Sequence, residues 1–132
     1  MIIGIGTDLL NIARVKTIVE SGAGDRFIAR VLTEDEQRLA AERQGRLVEF
    51  VAGRFAAKEA VSKALGCGIG KQVSFKDIEV IPGPLGKPVC RVSKEALRRL
   101  QLEPPEEIVI HLSITHTAEL AMAYSVAERV PF

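Results

Sequence analysis

One short stretch of the sequence, RFAAKEAVSKALG at positions 54–66, carries charged and hydroxyl side chains on an alanine-rich background. At about 100° per residue, a helix over this stretch places five residues on one stripe, which are Phe55, Glu59, Ser62, Lys63 and Gly66. A carboxylate beside an ammonium, a hydroxyl and an open glycine suits a metal-bound phosphate. The carboxylate would hold Mg²⁺ and the ammonium would meet a phosphate oxygen. The spacing therefore predicts a phosphate-handling site on this helix.

The same spacing has a simpler interpretation as a solvated surface. Glu59 and Lys63 form an i, i+4 pair in the favourable order, which stabilises an exposed helix by about 0.2–0.5 kcal/mol. Against this, Ala56, Ala57 and Ala60 are small enough to let another backbone approach closely, which favours a central helix. The spacing of these residues leaves both interpretations open.

Asp8 is the candidate for a second metal ligand, because Mg²⁺ usually takes one or two carboxylates and completes its shell with water and phosphate. It follows the stretch IIGIGT, where the chain emerges from a predicted first strand. Its alternative role is the N-cap of the helix that follows, since an aspartate oxygen can accept a hydrogen bond from a first-turn amide. The residues around Asp8 are compatible with either role.

The histidines and the glycine-rich segments are weaker signals. His111 lies within a predicted strand and is expected to be structural, whereas His116 follows the strand end, where site-forming loop residues are common. The segment GIGTD lacks the third glycine of a dinucleotide-binding fingerprint. The segment GCGIGKQ lacks the first glycine and the hydroxyl residue of a P-loop. We therefore interpret GCGIGKQ as a helix stop followed by a loop.

Hydrophobic periodicity predicts an α+β fold with helices early and antiparallel strands late. A first strand is predicted to end at Asp8 and to join the sheet. Helices are predicted over residues 12–20, 26–32, 33–44, 46–65 and 93–101, the third opening with a capping box of Thr33 and Glu36. Strands are predicted over residues 74–81, 89–92, 107–115 and 121–130. The last two should form an antiparallel pair, packed with a long central helix.

Composition limits the class of protein. The chain has 132 residues and a net charge of +1, so a nucleic-acid binder with a strongly basic surface is not indicated. We expect one domain over residues 1–132. Cys67 and Cys90 lack the spacing of a zinc site or a disulfide framework, which is typical of reduced thiols in a cytoplasmic protein. The apolar start is interrupted by Asp8, so neither a signal peptide nor a membrane span is expected.

Four segments share a pattern that extends over nearly the whole chain: GIGTDLLNIARV, FVAGRFAAKEAVSKALGCGIG, the LGKP turn and VIHLSITHTAELAMAYSV. The most specific part is KEA-x-x-K-x-x-G at positions 58–66, together with the upstream G-x-D at positions 6–8. In these features the chain resembles the bacterial holo-acyl-carrier-protein synthases, which are short 4′-phosphopantetheinyl transferases. The resemblance implies the 4′-phosphopantetheinyl transferase fold. It also implies a Mg²⁺-dependent transfer of the phosphopantetheine arm from coenzyme A to a serine of apo-acyl carrier protein, in support of fatty acid biosynthesis.

The resemblance also implies roles for individual residues. Asp8 and Glu59 match the family's metal-binding, catalytic acids, and Lys63 matches the lysine that meets the diphosphate. Coenzyme-binding positions are expected at Ser62, Lys63, Gly66, Lys87, Pro88 and His116. The base for the serine is Glu59 itself or a metal-bound water that Glu59 orients, and the sequence leaves both open.

Members of this family are trimers whose active sites are shared between neighbouring subunits, and the resemblance implies the same assembly here. The strand 107–115 has Val109 on the face opposite its isoleucines, so both of its faces could be covered. The family's surface for the carrier protein includes basic and aromatic residues, which Arg14, Arg26 and Phe27 match. These residues would meet an acidic helix of the carrier, a pairing that mainly sets encounter rate and orientation.

Overall fold

The computed structural model describes residues 1–43 and 45–131, so Gln44, the predicted end of the third helix, lies outside the described residues. In chain order the elements are β1 (Ile2–Asn11), α1 (Ile12–Val19), α2 (Gly24–Val31), α3 (Glu34–Ala41), α4 (Leu47–Ala64), a 3₁₀ turn (Phe75–Asp77), β2 (Ile78–Pro82), β3 (Pro88–Val92), α5 (Lys94–Arg99), a second 3₁₀ turn (Pro105–Glu107), β4 (Ile108–His116) and β5 (Leu120–Arg129). The mixed α+β class is confirmed. Within the described residues, no helix combines the length and apolar character that crossing a bilayer requires.

Three strands form the main antiparallel sheet in the order β1-β5-β4. Asp8 of β1 pairs with Ala123 of the central strand, and Ala123 pairs in turn with Ile114 of β4. Strands β2 and β3 form a separate antiparallel hairpin. The predicted pairing of the last two strands is therefore confirmed, as is the joining of the first strand to their sheet.

Helix α4 is central, as its small residues predict. Its N-terminal half contributes Phe50 and Val51 to a buried cluster with the three preceding helices. Its C-terminal half contributes Ala57 and Val61 to a second cluster with the β2–β3 hairpin, α5 and the main sheet. The helix is therefore enclosed on several sides, whereas the helical-wheel interpretation assumed one buried face and one open face.

The main sheet packs on α4 with one face and leaves the other face open in the single subunit. This open face is apolar on β1 and β5, whereas β4 presents Val109 together with the exposed polar residues His111, Ser113 and Thr115. Leu9 is 62 % exposed and Tyr124 is 44 % exposed, and Ile5, Met122 and Val109 are exposed beside them. A contiguous apolar surface of this kind usually marks a contact with another chain.

Predicted helix caps are present at two helices. The Thr33 hydroxyl accepts a hydrogen bond from the Glu36 amide at 3.3 Å, and the Glu36 carboxylate accepts one from the Thr33 amide at 2.8 Å. The Ser93 hydroxyl caps α5 by accepting from the Ala96 amide at 3.1 Å. Each cap satisfies a first-turn amide that has no partner within the helix.

Two local predictions are wrong. Strand β1 continues past Asp8 to Asn11, and Asn11 is the N-cap of α1 because its Oδ1 accepts from the Ala13 amide at 2.9 Å. The alternative role of Asp8 as an N-cap is therefore excluded. The predicted strand over residues 74–81 begins only at Ile78, because Asp77 accepts hydrogen bonds from both the amide and the hydroxyl of Ser74 and so closes a 3₁₀ turn.

Candidate active site

Gly4 and Gly6 bring β1 into direct contact with the backbone of α4. A Cβ atom added at Gly6 would lie 1.9 Å from the carbonyl oxygen of Ala60, and one at Gly4 would lie 1.8 Å from that of Ala64. Because these neighbours are backbone atoms, a side chain at either glycine would push the strand away from the helix. The two glycines therefore set how closely the next residues of β1 approach α4.

Asp8 is two residues beyond Gly6 and meets α4 at Lys63. The Nζ atom of Lys63 lies 3.3 Å from Oδ1 of Asp8 and 3.0 Å from the carbonyl oxygen of Thr7. The Asp8 side chain is 16 % exposed, so this ion pair is partly shielded from water. Asp8 and Lys63, both predicted for one site, are thus in contact although they stand at opposite ends of a 56-residue interval.

Glu59 completes this group, which we call the acid half-site (Asp8, Glu59 and Lys63). Burial raises the pKa of the Glu59 carboxyl, the negative charge of Asp8 raises it further, and Lys63 opposes both effects. The two carboxylates therefore repel each other, and a cation between them would relieve the repulsion.

The donor set of the acid half-site fits Mg²⁺. Among the described residues there is no cluster of three or more His, Cys, Asp or Glu side chains that could hold a metal. A structural zinc ion would need four such ligands. Mg²⁺ needs only one or two carboxylates when water and substrate phosphates supply its remaining ligands.

Ser62 does not occupy its predicted position beside Glu59 on an open stripe. Its side chain is fully buried, and its hydroxyl donates to the carbonyl oxygen of Glu59 at 2.8 Å. The helical wheel failed here because packing surrounds α4 on more than one side, so Ser62 does not face the site. Gly66 does follow the end of the helix directly after its C-cap, with φ +92° and open space where a Cβ atom would lie.

One residue of the predicted surface for the carrier protein, Phe27, is connected to the helix that carries Glu59. The ring of Phe27 stacks on that of Phe55 with centroids 6.0 Å apart, and Phe55 contacts Phe75 at 5.3 Å. Arg14 and Arg26 are exposed on α1 and α2. Phe55 lies one helical turn before Glu59, so this stack links α2 to the turn of α4 that holds Glu59.

A second feature, the arginine cavity, lies where the start of α4 meets the β2–β3 hairpin and the end of β4. It encloses about 290 Å³ and is lined by Arg43, Arg46, Glu49, Phe50, Gly53, Arg54, Pro82, Gly86, Pro88, Ile114, Thr115 and His116. Of the three coenzyme-binding positions expected in this region, Pro88 and His116 line the cavity. Lys87 does not line it and is exposed.

The positive charge of the three arginines that line the cavity exceeds the negative charge of Glu49, the acid in the same lining. The guanidinium groups of Arg43 and Arg54 lie over the Phe50 ring, 5.2 and 4.4 Å from its centroid. The Nε atom of Arg54 is buried without a hydrogen-bond acceptor. Burial lowers the pKa of Arg54, Glu36 opposes this shift, and Arg43 adds to it. Arg46 stands at the N-cap of α4, where the helix dipole also favours an anion.

Sequence reasoning did not single out the three arginines. One signal was available, because Arg46 lies just before a long helix, where a cation opposes the helix dipole. Arg54 follows two turns later on the same side as Phe50. The surplus charge becomes visible only when the hairpin and His116 are brought to the same cavity by the fold.

The acid half-site and the arginine cavity lie on different sides of α4. At about 100° per residue, Arg54 is roughly 140° around the helix from Glu59. Neither Asp8, Glu59 nor Lys63 lines the cavity. A single subunit therefore does not bring the acid pair together with the arginines and His116.

Comparison with known proteins assigns the chain to a family. Residues 4–124 match the family model of the 4′-phosphopantetheinyl transferase superfamily. The chain is 47 % identical over 129 residues to a holo-[acyl-carrier-protein] synthase of Bacillus cereus, an alignment covering 97 % of each chain.

Solved structures give the same result. A holo-(acyl-carrier-protein) synthase from Bacillus anthracis, in complex with CoA (3′,5′-ADP), is 46 % identical, with a TM-score of 0.82 and 98 % of each chain covered. The Helicobacter pylori synthase in complex with coenzyme A is 35 % identical, with a TM-score of 0.80, over 94 % of this chain and 99 % of that one. The chain therefore belongs to the 4′-phosphopantetheinyl transferase superfamily, among the holo-[acyl-carrier-protein] synthases.

Proposed function

We propose that this chain, acting as one domain over residues 1–132, is a holo-[acyl-carrier-protein] synthase of fatty acid biosynthesis. It transfers the 4′-phosphopantetheine arm of coenzyme A to a serine hydroxyl of apo-acyl carrier protein and releases adenosine 3′,5′-bisphosphate. The observation that carries the proposal is the contact of Lys63 with Asp8 beside Glu59, which forms a site for a cation and a diphosphate.

Asp8 and Glu59 would hold Mg²⁺. The bound ion supplies positive charge that neutralises the diphosphate and lets a nucleophile approach it. Lys63 donates from the same side to a diphosphate oxygen and stabilises the charge that develops on the departing bisphosphate. The serine oxygen forms a bond to the β-phosphorus, and the bond from that phosphorus to the bridging oxygen breaks.

The serine must lose a proton as it attacks. Glu59 takes this proton directly or through a water that it orients, because it is the partly buried carboxylate whose pKa is raised by burial and by Asp8. A positioned base of this kind typically contributes about 10²- to 10⁴-fold to the rate.

The arginine cavity takes the nucleotide end of coenzyme A. Its surplus guanidinium charge and the N-terminus of α4 suit phosphate groups, and His116 and Pro88 lie at the same cavity. The bound CoA (3′,5′-ADP) in the Bacillus anthracis relative supports the choice of ligand.

The functional unit is a homotrimer in which each active site combines the acid half-site of one subunit with the arginine cavity of its neighbour. Two observations support this arrangement. The outer face of β1 and β5 is apolar and exposed, and the two features lie on different sides of α4. Burying residues such as Leu9 and Met122 between subunits removes apolar area from water, which is worth about 25 cal/mol per Å².

The carrier protein docks on α1 and α2. Arg14 and Arg26 present unburied positive charge, and Phe27 offers a half-buried ring connected through Phe55 to the turn that holds Glu59. A carrier seated there would have its serine close to the acid half-site.

Intact mass spectrometry tests the function. The protein is incubated with apo-carrier protein, coenzyme A and Mg²⁺, with Glu59→Gln as the impaired variant and the surface change Lys94→Met as the matched control. We expect the carrier to gain the mass of one phosphopantetheine with the wild type and with Lys94→Met. Binding of coenzyme A without any mass gain would instead indicate a non-catalytic binding module.

A further inference from the structure

Lys58 is a charged side chain that α4 holds completely out of water. Its ammonium donates to Glu36 Oε1 at 2.6 Å, to the Val31 carbonyl oxygen at 2.7 Å and to the Phe75 carbonyl oxygen at 3.0 Å. The side chains of Lys58 and Glu36 are both 0 % exposed. All three ammonium protons therefore have an acceptor, and each acceptor belongs to a different segment.

Glu36 extends this network to two further backbone amides. Its Oε1 atom also accepts from the Thr33 amide at 2.8 Å, and its Oε2 atom accepts from the Val80 amide at 2.7 Å. Through the pair, α4 is tied to the end of α2, the start of α3, the 3₁₀ turn and β2. We call this group the buried ion-pair network (Lys58 and Glu36 with their backbone partners).

Stability alone is a weak reason for such a pair. Removing two charges from water costs several kcal/mol per ion, and apolar side chains of similar volume often stabilise a fold as well or better. Burial lowers the pKa of Lys58, and the charge of Glu36 and its hydrogen bond to the ammonium are the largest effects that oppose this shift. What the pair supplies that apolar residues lack is direction, because its hydrogen bonds fix where α4 sits along and around its axis.

The network lies between the two parts of the proposed active site. Lys58 is the residue before Glu59, and the charge of Glu36 acts on Arg54, the cavity arginine whose Nε atom is buried. A slip of α4 by one residue would move it about 1.5 Å and turn it about 100°. Either change would separate Glu59 from Asp8 and turn Arg54 out of its cavity.

We propose that Lys58 and Glu36 are positioning residues that lock α4 in the one placement where Glu59 faces Asp8 and Arg54 faces the arginine cavity. The proposal rests on the proposed function of those two half-sites. Gly4 and Gly6 fix the approach of the sheet on one side of α4, and the buried ion-pair network fixes the opposite side. Misplacement of reacting groups by about 1 Å can lower a rate by about 10²-fold.

The test is the double variant Lys58→Met with Glu36→Gln. It removes both charges, keeps side chains of similar length and leaves an amide oxygen at position 36 that can accept a hydrogen bond. The matched control is Arg129→Met with Glu107→Gln, which removes a partly buried ion pair of 3.1 Å far from α4's reacting groups. Transfer rate, half-saturating Mg²⁺ and Tm are measured for both. Only in Lys58→Met with Glu36→Gln do we expect kcat to fall by about 10- to 100-fold and the half-saturating Mg²⁺ concentration to rise.

The kinetic readout separates positioning from stability. If Lys58→Met with Glu36→Gln kept the wild-type kcat and Mg²⁺ dependence, whatever its Tm, the proposal would be overturned. Equal losses of kcat in this double variant and in the Arg129→Met with Glu107→Gln control would overturn it as well. If the double variant does not fold, the single change Glu36→Asp is measured, which keeps both charges but shortens the acid that holds Lys58, Thr33 and Val80, with a smaller loss of kcat in the same direction expected and an unchanged kcat overturning the proposal. Absence of transfer by the wild type would refute the proposed function, which is a distinct result.

Discussion

The ammonium of Lys63 lies 3.3 Å from the carboxylate of Asp8, although 54 residues separate the two in the chain. The contact exists because Gly4 and Gly6 let β1 rest on the backbone of α4. Asp8 is thus paired with Lys63, and Glu59 is the second carboxylate beside it. Burial and the charge of Asp8 raise the pKa of Glu59. The acid half-site therefore has distinct roles for its two carboxylates before any ligand arrives.

Glu59 and Lys63 should differ in their effect on turnover. If Glu59 both holds the metal and takes the serine proton, Glu59→Gln should lower kcat by about 10²- to 10⁴-fold, and by more than Lys63→Ala does. Steady-state transfer at saturating Mg²⁺ and coenzyme A measures the difference. Equal losses in the two variants would refute the dual role of Glu59.

Gly6→Ala should damage both the fold and the site. The new Cβ would meet the Ala60 carbonyl oxygen, and overpacking of this kind costs about 1–3 kcal/mol or more. Thermal unfolding and transfer activity should both show the loss, because β1 carries Asp8 away from Glu59. Gly22→Ala is the matched control, since nothing lies within 4 Å of a Cβ there. A fully active, wild-type-stable Gly6→Ala protein would show that the close approach is dispensable.

Glu59→Gln should raise the stability of the metal-free protein at pH 7. Burial first and Asp8 second raise the pKa of Glu59 in the fold, against the effect of Lys63. A carboxyl whose pKa is higher in the folded state than in the unfolded state stabilises the fold when the pH lies below its ordinary, unfolded pKa of about 4.3. This contribution is lost as the pH rises through the pKa in the folded state.

The advantage of the glutamine variant should therefore shrink on acidification and vanish near pH 4. Tm measured in EDTA across this range checks the sign, with Glu95→Gln on the exposed surface of α5 as a control. A variant less stable than wild type at pH 7 would mean that the ionised Glu59 is not a cost to the fold.

Met122→Lys should dissociate the proposed trimer. Met122 lies on the exposed apolar face of β1 and β5, where it pairs with Leu9 on one side and with Thr115 of β4 on the other. A buried lysine charge without a partner would destabilise a subunit contact there by several kcal/mol. Light scattering should report a monomer, and activity should fall because the half-sites separate. Leu85→Lys, at an exposed turn away from this face, should leave the mass unchanged, and a trimeric Met122→Lys protein would place the contact elsewhere.

The acid half-site could be predicted from the sequence because its signals are local. A glycine-rich strand that carries Asp8 and a helix with Glu59 and Lys63 one turn apart each specify their own geometry. The positions of Ser62 and Lys58 could not be predicted, because a helical wheel assumes one buried face and α4 is packed on several. The arginine cavity could not be predicted either, since its wall combines three distant segments whose meeting depends on the whole topology.

The central claim is that each active site takes its acids from one subunit and its arginine cavity from another. Asp8→Asn and Arg54→Met, each nearly inactive alone, are mixed in equal amounts as unfolded chains and refolded into common trimers. At random assembly, one half times one half of the sites, or about a quarter, join an intact acid half-site to an intact cavity. We predict recovery of about a quarter of the wild-type transfer rate. A mixture no more active than the average of the two variants would contradict the shared site.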